Sequence, residues 1–219
     1  MGLKPGDVVL DPMMGSGTVP VEATLMGIRS VGVDASPFCR FMAQTKVDAL
    51  TMSLHRAQQA VKNCDEVFTY FKNKVGVSDR GRKARKSIGP QGFVGVMEAA
   101  AEYVTAKDRD GLAGKAKETS DTYNFLLLAY LDAAGYSERS ERKSPQEQFR
   151  AILDRYLFVA EKIQTVLQGM ESDMGAAALL EGDARNLSLD DASVDGIIFS
   201  PPYSFAIDYL ENDSFHLGF

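Results

Sequence analysis

The 219 residues carry 45% hydrophobic and 25% charged side chains, proportions that exclude collagen-like, coiled-coil and disordered chains. The net charge of −6 is uneven: residues 53–175 hold 19 basic and 17 acidic side chains, against 5 and 13 in the other 96 residues. The overall acidity argues against a nucleic-acid coat protein, but not against an enzyme that touches nucleic acid through one patch.

Two cysteines, Cys39 and Cys64, stand apart, so no disulfide framework is expected and a reducing, cytoplasmic setting is the expectation. No apolar run reaches the ~18 residues of a membrane span, and no signal peptide is recognisable at Met1. His55 and His216 lie far apart without neighbouring cysteines, so no metal site is expected.

In chain order, Val8-Val9-Leu10 is a short apolar run suited to a buried parallel strand. It ends at Asp11-Pro12, and Gly15-Ser16-Gly17-Thr18 follows. Residues 19–26 then read as a helix with Thr18 as its cap, Pro20 in its first turn and Gly27 past its end. Ser30–Val33 predicts a second strand ending on Asp34. Ser36-Pro37 opens a second helix over residues 37–50. This β-α-β-α opening belongs to a doubly wound sheet.

The middle breaks the rhythm. Residues 55–75, 92–106 and 119–135 read as helices. The capping box Ser144-Pro145-Gln146-Glu147 starts another, with Phe149, Ile152, Tyr156, Val159, Ile163, Val166 and Met170 as its expected apolar face. Between helices, Arg80, Arg82, Lys83, Arg85 and Lys86 form a basic stretch, either a phosphate contact or a solvated loop. Tyr70, Phe71, Tyr123 and Tyr130 read as core.

The end returns to α/β. Ala178–Glu181 predicts a third strand and Val194–Phe199 a fourth, which runs into Ser200-Pro201-Pro202-Tyr203. The expectation is therefore an α/β, Rossmann-like doubly wound core over 1–52 and 176–219, interrupted by a helical insertion over 53–175. Four strands are few for such a sheet, so it is expected to be incomplete at both ends, in a truncated or split polypeptide.

Four features carry chemistry. The glycine turn lets a ligand approach backbone N–H groups at a helix start. Alone, it also fits an ordinary tight βα turn. Asp34, ~20 residues later at a strand tip, is positioned to accept ribose hydroxyls, or else to cap the next helix. Asp183, at the third strand's tip, suits an adenine amino group or a plain turn. The two prolines at 201 and 202 must end the fourth strand. They leave a rigid carbonyl, a polar side chain and an aromatic ring together, as a flipped base with an exocyclic amine requires. The bland alternative is a strand terminator with a core tyrosine.

In this order, Asp11-Pro12-Met13-Met14-Gly15-Ser16-Gly17-Thr18, Gly32-Val33-Asp34, Gly182-Asp183-Ala184 and Ser200-Pro201-Pro202-Tyr203 resemble the S-adenosylmethionine-dependent DNA amino-methyltransferases, which methylate an exocyclic nitrogen of cytosine or adenine. The resemblance covers about residues 3–52 and 176–219, not the middle. It implies S-adenosylmethionine as cofactor and DNA as partner. Asp11, Gly15 and Gly17 would line the cofactor's methionine part, with Pro12, Met13, Ser16 and Thr18 in the same turn. Asp34, beside Ala35, would hold the ribose, and Asp183, beside Ala184, the adenine. Ser200 and the Pro201 carbonyl would accept the target amine, next to Pro202, and Tyr203 would stack on the base. Serine rather than aspartate at 200 leans toward cytosine N4 over adenine N6. Neither cysteine has the Pro-Cys context of cytosine-C5 enzymes, so a covalent cysteine mechanism is not expected.

The chain departs from the family's pattern at Met13, where phenylalanine is usual. A cofactor-packing segment would have to precede Met1, and later strands and a target-recognition domain would have to follow Phe219. Two alternatives stand beside this expectation. One is a methyltransferase acting on a guanine amino group in tRNA, a group that usually has aspartate at the position of Ser200. The other is a non-catalytic cofactor-binding subunit that needs a partner polypeptide for the missing strands.

Overall fold

The computed structural model describes residues 2–75, 114–139, 143–170 and 173–201. The basic stretch at 80–86, the helix expected over 92–106, and Pro202 and Tyr203 lie outside the described residues. The chain divides into two compact units, residues 1–50 with 164–219, and residues 51–163.

The first unit holds β1 (Val8–Asp11), α1 (Thr18–Leu25), β2 (Arg29–Asp34) and α2 (Pro37–Asp48), and, after the second unit, β3 (Ala177–Glu181) and β4 (Gly196–Ile197). The strands form one sheet in the order β3-β2-β1-β4. Every pairing is parallel, with Val9 opposite Ser30, Val31 opposite Ala178 and Val9 opposite Gly196. Parallel neighbours need helical crossovers, which α1 and α2 provide. The chain steps β1, β2, β3 in one direction and then returns to the far side of β1. The strand order therefore reverses between β1 and β4, the place where open α/β sheets bind ligands, at the carboxyl ends of the strands.

Packing explains why β1 reads as a continuous apolar run. Val9, Leu10 and Asp11 are all buried, being central in the sheet. Val9, Ala23 and Ile28 form one core cluster with Leu3 and Val19 against it. Met14, Ala43 and Leu179 form another, packed by Val47 and Ala177. Two details differ from expectation. Residue Gly17, in the left-handed conformation at φ 81°, rather than Thr18, is the N-cap of α1, and no side chain caps it. The fourth strand pairs over only two residues, not six. Its ladder closes with Ile198 N donating to Leu10 O at 2.9 Å, because β1 then turns away through Asp11-Pro12, and proline has no N–H to continue. Ser36 caps α2 as expected, its Oγ accepting from Cys39 N.

The described part of the second unit comprises α3 (His55–Lys62), α4 (Cys64–Val75), α5 (Lys115–Arg139) and most of α6 (Pro145–Gln168). The helix expected over 55–75 is two, broken at Asn63, whose side-chain amide donates to Gln59 O. Phe68, Phe71, Tyr123, Tyr130 and Phe149 are buried together, with Phe71 and Tyr130 ring centres 5.5 Å apart. The capping box forms: Ser144 N donates to Glu147 Oε2 at 2.9 Å and Glu147 N to Ser144 Oγ at 3.3 Å. Behind it the buried stripe is Phe149, Ile152, Leu153, Leu157 and Ala160, whereas Val159, Val166 and Met170 are exposed. Two apolar stripes share the helical spacing, and periodicity alone does not choose between them. No described helix is long and apolar enough to cross a membrane.

Candidate active site

The carboxyl edge of the sheet collects the tips of all four strands. At β1, the turn between Met14 and Gly17 closes with Gly17 N donating to Met14 O at 2.8 Å. Three contacts fix it. Met14 N donates to Val33 O at 3.0 Å, Gly15 N donates to Asp34 Oδ2 at 2.9 Å, and Lys46 Nζ donates to Ser16 O at 2.9 Å. Met14 is the plug beneath: it is buried, and its sulfur lies where a Cβ on Gly32 would come within 2.6 Å.

The two glycines of the turn do different work. A Cβ on Gly17 would meet Ala43 Cβ at 2.5 Å, so Gly17 is the close approach of α1 to α2. A Cβ on Gly15, at φ 50°, would meet nothing within 4 Å. The space above Gly15 is open, as a ligand resting on the turn requires.

Asp34 joins this turn to the β2 tip. Its Oδ2 accepts Gly15 N and its Oδ1 accepts Ser36 N, both at 2.9 Å. Asp34 therefore holds the residue that caps α2 and does not cap the helix itself. A carboxylate has about four acceptor positions, and two backbone N–H groups leave room for hydroxyls. Asp11 is buried, with Oδ1 accepting Met13 N at 3.1 Å. Burial is the main cause that raises its pKa above 3.8, and the Asp34 carboxylate adds to the rise. Two neighbouring acids at the tips of β1 and β2 favour a cationic ligand. Met13 is exposed.

At the β3 tip, Gly182 N donates to Asp34 O at 2.9 Å, bringing Asp183 next to the β2 tip. An open hollow of about 430 Å³ lies there, lined by Ala35, Glu181, Gly182, Asp183 and Arg185. Its volume falls within the ~300–1,000 Å³ of small-molecule pockets. Asp183 is not a free acceptor. Arg185 Nε donates to both carboxylate oxygens, at 2.9 and 3.0 Å, and Arg185 Nη2 to Oδ2 at 2.6 Å. This guanidinium holds the Asp183 carboxyl down at about 2. At the β4 tip, Ser200 and Pro201 are exposed, just past Ile198, which bonds to β1. The sequence reading missed Met14, Lys46 and Arg185. Arg185 stands two residues from Asp183 and could have been flagged by charge. The Lys46 contact spans 30 residues and left no local signal.

A strand-turn-helix with an open glycine, followed by acids at successive strand tips, fits a nucleoside-containing cation. Residues 1–212 match the UPF0020 family, described as RMKL-like, methyltransferase domain. The chain belongs to this family. This methyltransferase domain is 21% identical over 252 aligned residues to the Type II methyltransferase M.BsoBI of Geobacillus stearothermophilus, covering 100% of the chain and 48% of that protein. It is 50% identical over 140 residues to the Type II methyltransferase M.MjaII of Methanocaldococcus jannaschii, covering 61% of the chain and 24% of that protein. The chain thus spans about half the length of the first relative and about a quarter of the second. No solved structure is significantly similar to it.

The methyltransferase domain's buried Asp11 gives a pH signature. Its folded pKa is raised above 3.8 mainly by burial, so within the window above 3.8 the folded chain holds a proton that the unfolded chain has released. Stability contributed by Asp11 is then full below 3.8 and is lost as pH rises through the raised value. Asp11→Asn is expected to stabilise the fold at neutral pH and to remove that part of the pH slope. Urea midpoints of wild type and variant that stay parallel from pH 3.5 to 7.5 would remove the burial argument for Asp11.

Proposed function

We propose that this methyltransferase domain moves a methyl group from S-adenosylmethionine to an exocyclic amino group of a DNA base, with cytosine N4 ahead of adenine N6. The observation that carries the reading is the gathering of the open Gly15 turn, Asp11, Asp34 and the Ser200-Pro201 terminus at one sheet edge, beside the strand-order reversal. Similarity to two Type II methyltransferases supports it. In this reading residues 1–52 and 176–219 are the cofactor-binding core and 53–175 a helical insertion, working in the cytoplasm.

S-adenosylmethionine, when bound, supplies an activated methyl on a sulfonium cation. The chain's residues bind and orient. Asp11, Pro12, Met13 and the Gly15-Ser16-Gly17-Thr18 turn hold the methionine part; Asp34 with Ala35 accepts the ribose hydroxyls; Asp183 with Ala184 faces the adenine. The amine of a DNA base is a weak nucleophile because its lone pair is shared with the ring. Ser200 Oγ and the Pro201 carbonyl accept its N–H groups and favour a pyramidal nitrogen. On the sequence alone, Pro202 would stiffen that carbonyl and Tyr203 would supply the ring for stacking on the base. Positioning supplies much of the acceleration.

Calorimetry with S-adenosylhomocysteine tests the cofactor half. Asp34→Ala is expected to weaken binding by ~1–3 kcal/mol through loss of charge-assisted bonds. Equal affinity would take Asp34 out of the site. Incubation with DNA and S-adenosylmethionine, then nucleoside mass analysis, tests the transfer: N4-methylcytosine is the expected product, and N6-methyladenine would correct the base.

A further inference from the structure

We propose that Lys46 is a positioning residue for the cofactor turn: its ammonium, donating to the Ser16 carbonyl, holds the turn in its binding shape before a ligand arrives. The inference rests on the reading of this turn as the cofactor site. Lys46 lies in the last turn of α2, 30 residues further along the chain than Ser16, and its Nζ donates to Ser16 O at 2.9 Å. The Ser16 carbonyl and the Gly17 N–H belong to one peptide group. That same N–H closes the turn on Met14 O at 2.8 Å. A cation on the carbonyl polarises the peptide group and strengthens the bond that its N–H donates.

The face of α2 that meets the turn carries three side chains with separate tasks. Ala43 is fully buried against Gly17, where a Cβ would come within 2.5 Å. Lys46, three residues on and so on the same face, reaches Ser16. Val47 packs against the cluster that contains Met14. From the other side β2 holds the turn, with Met14 N on Val33 O at 3.0 Å and Gly15 N on Asp34 Oδ2 at 2.9 Å. A turn fixed at this many points loses little freedom when a ligand settles on the open side of Gly15, and affinity rises accordingly. A lysine near a helix C-terminus also interacts favourably with the helix dipole. That role alone predicts a change in stability; the Ser16 contact adds an effect confined to the turn.

The test uses the whole 219-residue chain with Lys46→Met, which keeps a long stem without the cation, and Lys46→Arg, which restores a cation. In the ligand-free chain, Lys46→Met is expected to speed amide hydrogen exchange at Gly17 by about ten-fold, the lower end for a bond to a charged group. Exchange in the β1–β2 ladder should stay unchanged. Calorimetry with S-adenosylhomocysteine should show affinity weakened by about ten-fold at undiminished stoichiometry, and Lys46→Arg should restore both readings. Unchanged Gly17 exchange in Lys46→Met means that the ammonium does not hold the turn, and overturns the proposal whether or not the cofactor binds. Faster Gly17 exchange with unchanged affinity overturns it by making the order of the turn irrelevant to the ligand. Faster exchange throughout the ladder, with falling stoichiometry and constant affinity, makes Lys46 a stability residue and overturns it too. Restored Gly17 exchange in Lys46→Arg with binding still weak makes the ammonium a direct ligand contact, which also overturns it. Absence of binding by the wild type defeats the cofactor reading and the inference with it, and Gly17 exchange then distinguishes that failure from a turn that Lys46 does not hold.

Discussion

Gly17→Ala lowers the unfolding free energy of the sheet unit by about 2–5 kcal/mol, while Gly15→Ala lowers it by only about 1 kcal/mol and instead abolishes cofactor binding. These are the expected results, and they follow from one turn. At Gly17, φ is 81° and a Cβ would stand 2.5 Å from Ala43 Cβ and 2.7 Å from its Cα. Left-handed strain costs ~1–2 kcal/mol for an alanine, and forcing atoms into a packed contact costs a further ~1–3 kcal/mol. Backbone atoms of α2 cannot step aside as a flexible side-chain tip can. At Gly15 there is strain, with φ at 50°, but no neighbour within 4 Å. The added methyl would project into the open space above the turn, where the proposed cofactor would rest. Urea unfolding and calorimetry with S-adenosylhomocysteine on both variants separate the two roles. Equal stability losses at the two positions would show that Gly17 is no contact. Unimpaired binding by Gly15→Ala would move the ligand elsewhere.

The second large effect belongs to the Ser200-Pro201-Pro202-Tyr203 segment. Tyr203→Ala is expected to remove base stacking of ~1–3 kcal/mol, up to about a hundredfold in capture of the flipped base. Tyr203→Phe should be nearly silent, since the ring is what stacks. Ser200→Ala should lower turnover with cofactor affinity unchanged, because on the proposed function it removes an acceptor for the amine. The assay is methyl transfer to DNA followed by nucleoside mass analysis. Full activity of both alanine variants would reduce the segment to a strand terminator.

The turn, the parallel sheet and the capping box were legible because each is written within a few neighbouring residues. Asp11-Pro12 ends a strand, Gly15 and Gly17 bend the chain, and Ser144 with Glu147 marks a helix start. What escaped was written across the chain or at equal spacing. The split of 55–75 at Asn63 has neither proline nor glycine to signal it. The buried face of α6 was one of two apolar stripes, and Leu153 and Leu157 won over Val159 and Val166 by tertiary packing alone. At the site, Asp11 and Asp34 could be placed at strand tips from the sequence, but their hydrogen-bond partners could not. The bond of Gly15 N to Asp34 depends on the β1–β2 register, and the pairing of Asp183 with Arg185 depends on a side-chain rotamer.

The sheet's wiring also sets the order in which the chain can fold. β2 ends at Asp34 and its partner β3 begins at Ala177, while Val9 pairs with Gly196. Almost every ladder contact beyond β1–β2 is thus between distant parts of the chain, the arrangement that folds slowly. The unit at 51–163 lies inside that long loop, and its described elements are helices, whose hydrogen bonds are local. Once those helices are collapsed, the stretch that must be closed to bring β3 to β2 is shortened several-fold, which lowers the closure entropy by about 1 kcal/mol. A helical unit that forms first would tie the speed of sheet assembly to its own folding rate.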